Sequence, residues 1–137
     1  MREQPSAAEL LDGVAEFMTK ELMPRLCGRV AFHTRIAINV LAIVRREMTL
    51  GPAAGAREAA RLAELLGAEG DAEALTVALC ERIAHGEFDA NDPKLIEHLW
   101  TTTLDTVAID QPNYATYRCA TGLSRQLRMR RKVEEKR

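Results

Sequence analysis

The sequence predicts an all-α fold, an antiparallel bundle of about five helices followed by a basic C-terminal tail or sixth helix. Aromatic residues make up 4% of the 137 residues, whereas hydrophobic residues make up 47% and Ala and Leu are abundant. This composition favours helices that pack through aliphatic side chains over sheets, which prefer β-branched and aromatic residues. Apolar residues recur at helical spacing along most of the chain, and no segment is typical of a strand. A chain of this length buries enough surface to fold without disulfides or metals.

The first two predicted helices span residues 7–23 and 28–48. Ser6 and Glu9 form a capping-box pattern before the first helix, and Pro24 ends it. The second helix is predicted to stop near Gly51. Its apolar arc covers more than half of the circumference, which predicts a central helix that several neighbours contact. The residues of this arc are Val30, Ile36, Val40, Leu41, Ile43, Val44 and Met48.

Three more helices are predicted from their end signals. The third begins near Pro52 and ends at Gly67, the fourth runs from the cap Asp71 to Gly86, and the fifth opens at Asp92-Pro93. The side chains predicted to face inward are Ala59, Leu62, Ala63 and Leu66 on the third, Leu75, Leu79 and Ile83 on the fourth, and Leu95, Ile96, Leu99, Trp100, Leu104 and Val107 on the fifth.

Charge divides the chain into a body, residues 1–117, and a tail, residues 118–137. The body carries 11 basic and 18 acidic side chains, a net charge of −7, and the tail carries 8 basic and 2 acidic ones, a net charge of +6. We expect the tail either to form a sixth helix or to extend into solvent. The acidic body, the few aromatic residues and the absence of a DNA- or RNA-binding motif argue against a nucleic-acid partner.

No motif indicates catalysis, a cofactor or a metal. The sequence contains no glycine-rich phosphate loop, HExxH, GxSxG or EF-hand loop. His33, His85 and His98 fall on three different predicted helices, and the three cysteines have no paired spacing. No apolar stretch is long enough to cross a membrane and no signal peptide is recognisable, so we expect a cytoplasmic protein.

A polar strip on the second helix is the most informative group of side chains. Arg35, Asn39 and Arg46 fall within a narrow sector at 100° per residue. One interpretation is a binding groove, in which Arg35 and Asn39, one turn apart, hold an anion. The alternative is structural: these groups bond to neighbouring helices or face water. The two arginines are eleven residues apart, about 16 Å along the helix, so they do not grip one small anion together.

Three segments carry a resemblance to a known family. They are residues 6–17, residues 28–47 with the pattern Phe-His-x-Arg…Asn, and residues 104–114 with the ending Ile-Asp-x-Pro-x-Tyr. Together they resemble a bacterial domain family of unknown function over about residues 5–117. The resemblance implies a small helical protein encoded near acyl-CoA dehydrogenases and aminoglycoside-phosphotransferase-like kinases. It also implies a shared binding site or structural interaction at the matched positions Arg35, Asn39, Asp110, Pro112 and Tyr114.

The sequence therefore supports two main functional hypotheses. The favoured one is a non-enzymatic helical accessory protein that binds another protein, such as one of the enzymes just named, or its own copy. The alternative is a protein or enzyme that binds a small acyl-CoA-type anion at the strip of Arg35 and Asn39, with His33, Arg46, Asp110 and Tyr114 as further candidate binding residues.

Overall fold

The described residues of the computed structural model, 4–122, form helices, turns and short loops, with no strand among them. Four α-helices are present, α1 Ala7–Phe17, α2 Gly28–Leu66, α3 Ala72–Ala84 and α4 Pro93–Asp110, and residues 115–122 are also helical. The prediction of an all-α fold is confirmed. The chain divides into two compact units, Met1–Arg57 and Glu58–Arg137, which we call unit 1 and unit 2.

The predicted helix ends that depend on local capping are confirmed. Ser6 and Glu9 form the capping box of α1, in which the Ser6 N–H donates to Glu9 Oε2 at 2.7 Å and the Glu9 N–H donates to Ser6 Oγ at 3.2 Å. Asp71 accepts the N–H of Ala74 at 2.8 Å, and Asp92 accepts the N–H groups of Lys94 and Leu95. Each of these contacts satisfies backbone donors that a helix leaves free in its first turn.

The predicted break at Gly51 and Pro52 is wrong, because α2 continues through both residues to Leu66. A proline inside a helix removes one backbone hydrogen bond and costs about 3 kcal/mol. The alanine-rich segment of residues 53–63 has a strong preference for helix and offsets this cost. Gly51 also leaves room for the Glu47 side chain, since a Cβ atom at Gly51 would lie 2.6 Å from Glu47 Oε1.

The first predicted helix has the right extent but not a uniform geometry. Its α-helical part ends at Phe17, and one π-helical turn, Met18–Leu22, and one 3₁₀ turn, Met23–Arg25, complete it. Pro24 lies within the 3₁₀ turn, where its missing N–H leaves no helical bond unmade. Leu26 and Cys27 then link this segment to α2.

Unit 2 contains the core. Five leucines from the end of α2, from α3 and from the start of α4 form one buried cluster: Leu62, Leu66, Leu75, Leu79 and Leu95. Phe88 and Ala78 pack against it. The inward orientation predicted for the five leucines is confirmed. The same prediction is wrong for four large side chains that are exposed, Ile83, Ile96, Leu99 and Trp100.

Unit 1 is a helical hairpin that buries no described residue. Arg45 Nε of α2 donates to Asp12 Oδ2 of α1 at 2.7 Å, which holds the two helices side by side. The prediction that this part of α2 is central is wrong, because most of its arc is exposed. Ten large apolar residues of unit 1 are 41–59% exposed: Leu10, Val14, Phe17, Val30, Phe32, Ile36, Val40, Val44, Met48 and Leu50.

Candidate functional site

The polar strip predicted on α2 lies in unit 1 and is open to solvent. Arg35 and Asn39 are exposed, and neither side chain hydrogen-bonds to another residue within 4–122. Arg46 is half-buried and has an interaction partner. His33 is exposed, accepts a hydrogen bond from Arg29 Nε at 3.3 Å and lies edge-on to Phe32. The role of this strip in binding therefore remains a prediction.

The two other candidate residues belong to unit 2. Asp110 is the last residue of α4; it is exposed and has an interaction partner. Tyr114 is also exposed, and its backbone N–H donates to the carbonyl of Gln111 at 2.9 Å, which closes the turn after α4. The structure thus assigns the six sequence candidates to two different units of the chain.

A cavity of about 290 Å³ in unit 2 is the better-formed candidate site. The last turns of α2 and the first turns of α4 line it, with the residues Arg61, Glu64, Leu65, Lys94, Glu97 and His98. Five of these side chains are charged or polar, and the sixth, Leu65, packs against the buried leucine cluster. None of the six residues predicted from the sequence contributes to it.

Arg61 connects α2 to the middle of α4. Its Nη2 atom donates to Thr102 Oγ1 at 3.2 Å and lies 3.6 Å from Asp105 Oδ2. The Arg61 and Asp105 side chains are about three-quarters buried, so this ion pair is shielded from water more than the others in the described chain. The contacts orient the guanidinium group, but they leave its buried Nε atom without a hydrogen-bond partner among residues 4–122.

His98 is the other unusual group at this cavity. It is 6% exposed, and its buried Nδ1 atom also has no hydrogen-bond partner among the described residues. Burial lowers the pKa of His98 below its usual value, the positive charge of Arg61 lowers it further, and Glu58 acts in the opposite direction. The imidazole is consequently neutral at pH 7.

Two buried nitrogen atoms that lack partners therefore belong to residues lining one cavity. A buried polar group without a hydrogen bond is costly, and native proteins satisfy such groups with water or a ligand. The cavity is large enough for several waters or a small polar molecule. Its lining offers hydrogen-bond donors from Arg61 and Lys94 and acceptors from Glu64 and Glu97. No group of three or more His, Cys, Asp or Glu in the described chain is arranged to hold a metal ion.

This site is not among those predicted from the sequence, although α4 contains a signal for it. His98, Thr102 and Asp105 are spaced by four and three residues. Leu95 and Ile109 continue the same spacing on either side, and both are buried. Polar residues inside an apolar stripe indicate a polar network facing the core. The partner Arg61 could not be identified this way, because it is 41 residues from Thr102.

Other surface features give no further site. Cys27, Cys80 and Cys119 are exposed free thiols. Within residues 4–122, no helix combines the length and the apolar character that crossing a membrane requires. Most of the basic tail predicted from the sequence, from residue 123 onward, lies outside the described residues.

Comparison with known proteins gives one match. The model of a family described as a domain of unknown function (DUF6285) matches residues 24–114, which cover the linker after α1, all of α2, α3 and α4, and the turn ending at Tyr114. No curated protein and no solved structure matches the chain.

Proposed function

We propose that this chain, which belongs to the DUF6285 family, is a non-enzymatic helical accessory protein that works by binding a polypeptide partner through unit 1. The observation that supports the proposal is the exposure of ten large apolar side chains on a hairpin with no buried residue. Unit 2, in contrast, has a core of its own.

The size of this apolar surface favours a binding role for unit 1. Ten large apolar residues that are about half exposed, three on α1 and seven on α2, leave about 900 Å² accessible in total, taking about 180 Å² for each residue. The largest apolar patch on a typical monomer is about 300–600 Å². A surface beyond this range normally contacts another molecule, since its transfer out of water is favourable by about 25 cal/mol per Å².

The family description names no partner. The resemblance noted in the sequence implies a gene neighbourhood with acyl-CoA dehydrogenases and phosphotransferase-like enzymes, so an enzyme of either class is the first heterologous partner to test. An accessory role agrees with the absence of a catalytic motif from the sequence. We place the protein in the cytoplasm with such enzymes.

The test compares two valine substitutions. Val40 on α2 and Val77 on α3 are both exposed helical valines, 48% and 55%, but only Val40 belongs to the apolar surface of unit 1. Affinity-tagged wild-type protein, Val40→Asp and Val77→Asp are each captured from the native cell. We expect a stoichiometric protein to accompany the wild type and Val77→Asp but not Val40→Asp. Equal capture by all three proteins would contradict the proposal.

A second candidate function, binding of a small molecule, has one observation in its favour. The partnerless Arg61 Nε and His98 Nδ1 belong to residues that line the same cavity, where Lys94 adds a cation and Glu64 and Glu97 add carboxylates. A small carboxylate that pairs with the Arg61 and Lys94 cations is the simplest anionic ligand for this cavity. The anion site at Arg35 and Asn39 is the other location for this function; there the two side chains are exposed on one helix.

Acetate is a suitable probe for the cavity. Chemical shifts of His98 and of the Arg61 Nε–H group should move with saturation as acetate is added, whereas those of the exposed His85 should not. Replacement of Arg61 by Gln, which keeps polar atoms but removes the guanidinium charge, should abolish the saturable shift. Shifts that are linear in acetate concentration, or equal at His85, would exclude a site in this cavity.

A further inference from the structure

We infer that the partner of unit 1 is a second copy of this chain, and that two α2 helices pack antiparallel with Arg29 of each copy facing Glu47 of the other. This inference rests on the proposed function, since it names the molecule that covers the apolar surface. Three independent features of unit 1 support it: the positions of the two charges along α2, the state of those charges within one chain, and the size of the surface.

The two charges bracket the apolar arc of α2. Arg29 and Glu47 are 18 residues apart, which is five turns of helix and about 27 Å, so they point in the same direction. Between them, the same side of the helix carries Phe32, Ile36, Val40, Ile43 and Val44, and also His33 next to Arg29. This side of α2 is therefore a mainly apolar strip with a cation and a histidine at one end and an anion at the other.

Such a strip is complementary to itself in one orientation only. In a two-fold symmetric pair with its axis beside residue 38, Arg29 meets Glu47 of the second copy, and Ile36 meets Val40 of the second copy. A parallel pair would instead place Arg29 against Arg29 and Glu47 against Glu47, and like charges across an interface are unfavourable. The arrangement of charge thus specifies an antiparallel pair.

Within residues 4–122 neither Arg29 nor Glu47 forms an ion pair, unlike several charged residues near them. Three ion pairs in unit 1 join Asp12 to Arg45, Glu16 to Lys20 and Glu21 to Arg25. Arg29 donates only to the ring of His33, and Glu47 has no cationic partner among the described residues. The side chain of Glu47 lies along the helix towards Gly51.

The apolar area of unit 1 is sufficient for a stable dimer only when both helices of the hairpin take part. Interfaces of ordinary size bury about 800 Å² on each partner. The four exposed residues of the α2 strip, Phe32, Ile36, Val40 and Val44, supply about 350 Å², and the ten exposed apolar residues of α1 and α2 together supply about 900 Å². A single hairpin does not cover this surface, because α1 and α2 contact each other through other sides of the two helices. Two hairpins together supply the four helices that enclose an apolar centre in a bundle.

The test is a charge exchange measured by sedimentation equilibrium of the full-length protein. We expect the wild type to dimerise and Arg29→Glu and Glu47→Arg each to raise the dissociation constant about tenfold or more, because each places like charges together twice. The double variant, with both substitutions, should recover wild-type affinity. Arg25→Glu is the matched control: it reverses a nearby exposed charge that is already paired with Glu21, and should leave the dimer intact.

The other outcomes contradict this inference, and they show whether the proposed function fails with it. A wild-type protein that stays monomeric overturns the inference, and capture of a different protein by that monomer would leave the proposed function standing. Single variants that dimerise normally, or a double variant that does not recover, overturn the antiparallel pairing. If the wild type is monomeric and Val40→Asp lowers its melting temperature, the surface is covered within one chain, which overturns both proposals.

Discussion

Acidification below pH 6.5 should destabilise this protein through His98. The ring is 6% exposed, and burial together with the Arg61 guanidinium holds its pKa below the usual value of 6.5. In the unfolded chain both effects vanish, so His98 takes up a proton near pH 6.5 there but only at lower pH in the folded protein. Between these two pKa values the unfolded state binds more protons, and the free energy of unfolding falls as pH falls.

The size of this change in the free energy of unfolding follows from the uptake of one proton by His98. The contribution to stability is fully present above pH 6.5 and is lost as the pH decreases below it, with a slope of at most about 1.4 kcal/mol per pH unit. The loss ends once the folded protein also takes up the proton. Glu58 limits this effect because its negative charge favours the imidazolium form.

The assay is urea unfolding followed by circular dichroism at about pH 7.5, 6.5 and 5.5. His98→Gln removes the titrating ring and should flatten the pH dependence in this range relative to the wild type. His85→Gln, which replaces an exposed histidine, is the matched control and should keep the wild-type slope. Identical slopes for the wild type and His98→Gln would refute the argument that burial holds His98 neutral.

Three further predictions concern the stability of the two units. Leu62→Ala, at a fully buried position, should lower the free energy of unfolding by about 2–5 kcal/mol in denaturant titrations, whereas Val77→Ala, at a 55% exposed position, should change it by less than about 0.5 kcal/mol. Gly67→Ala should lower the free energy of unfolding by about 1 kcal/mol in the same measurement, because Gly67 follows the last residue of α2 with φ +63° and the next residue, Ala68, donates its N–H to the Ala63 carbonyl. An unchanged free energy of unfolding would contradict this prediction. Asn39→Ala should stay within about 1 kcal/mol of wild type in thermal melts, since the amide is exposed, and a larger loss would show that Asn39 is a structural residue.

Much of the fold was predictable because the signals that define it are local. A capping residue lies within three residues of the backbone groups it satisfies, so Ser6, Asp71 and Asp92 could be identified from sequence, as could Gly67 and Gly86 at helix ends. The same local approach failed at Gly51 and Pro52. There the strong helix preference of the following alanines outweighs a break that two residues alone would favour.

The candidate site was not predictable to the same degree. Periodicity placed Arg35, Asn39 and Arg46 on one strip, and the exposure of Arg35 and Asn39 shows that a shared helix face does not by itself make an enclosed site. His98, Thr102 and Asp105 have a readable spacing along α4, but only the structure brings Arg61 to them.

The amino-acid sequence by itself determined that this protein is helical, where most helices begin and end, and which side of each helix is apolar. These properties depend on backbone capping, intrinsic helix preference and the 3.6-residue period, all of which act over a few neighbouring residues. Tertiary structure alone decided which apolar sides are covered. Leu62 and Leu75 became core, and Ile36 and Val40 stayed exposed, although the sequence presents all four as equally apolar helix faces. Burial depends on which segments meet in space, and a contact such as that of Arg61 with Asp105 is fixed by packing across 44 residues of chain.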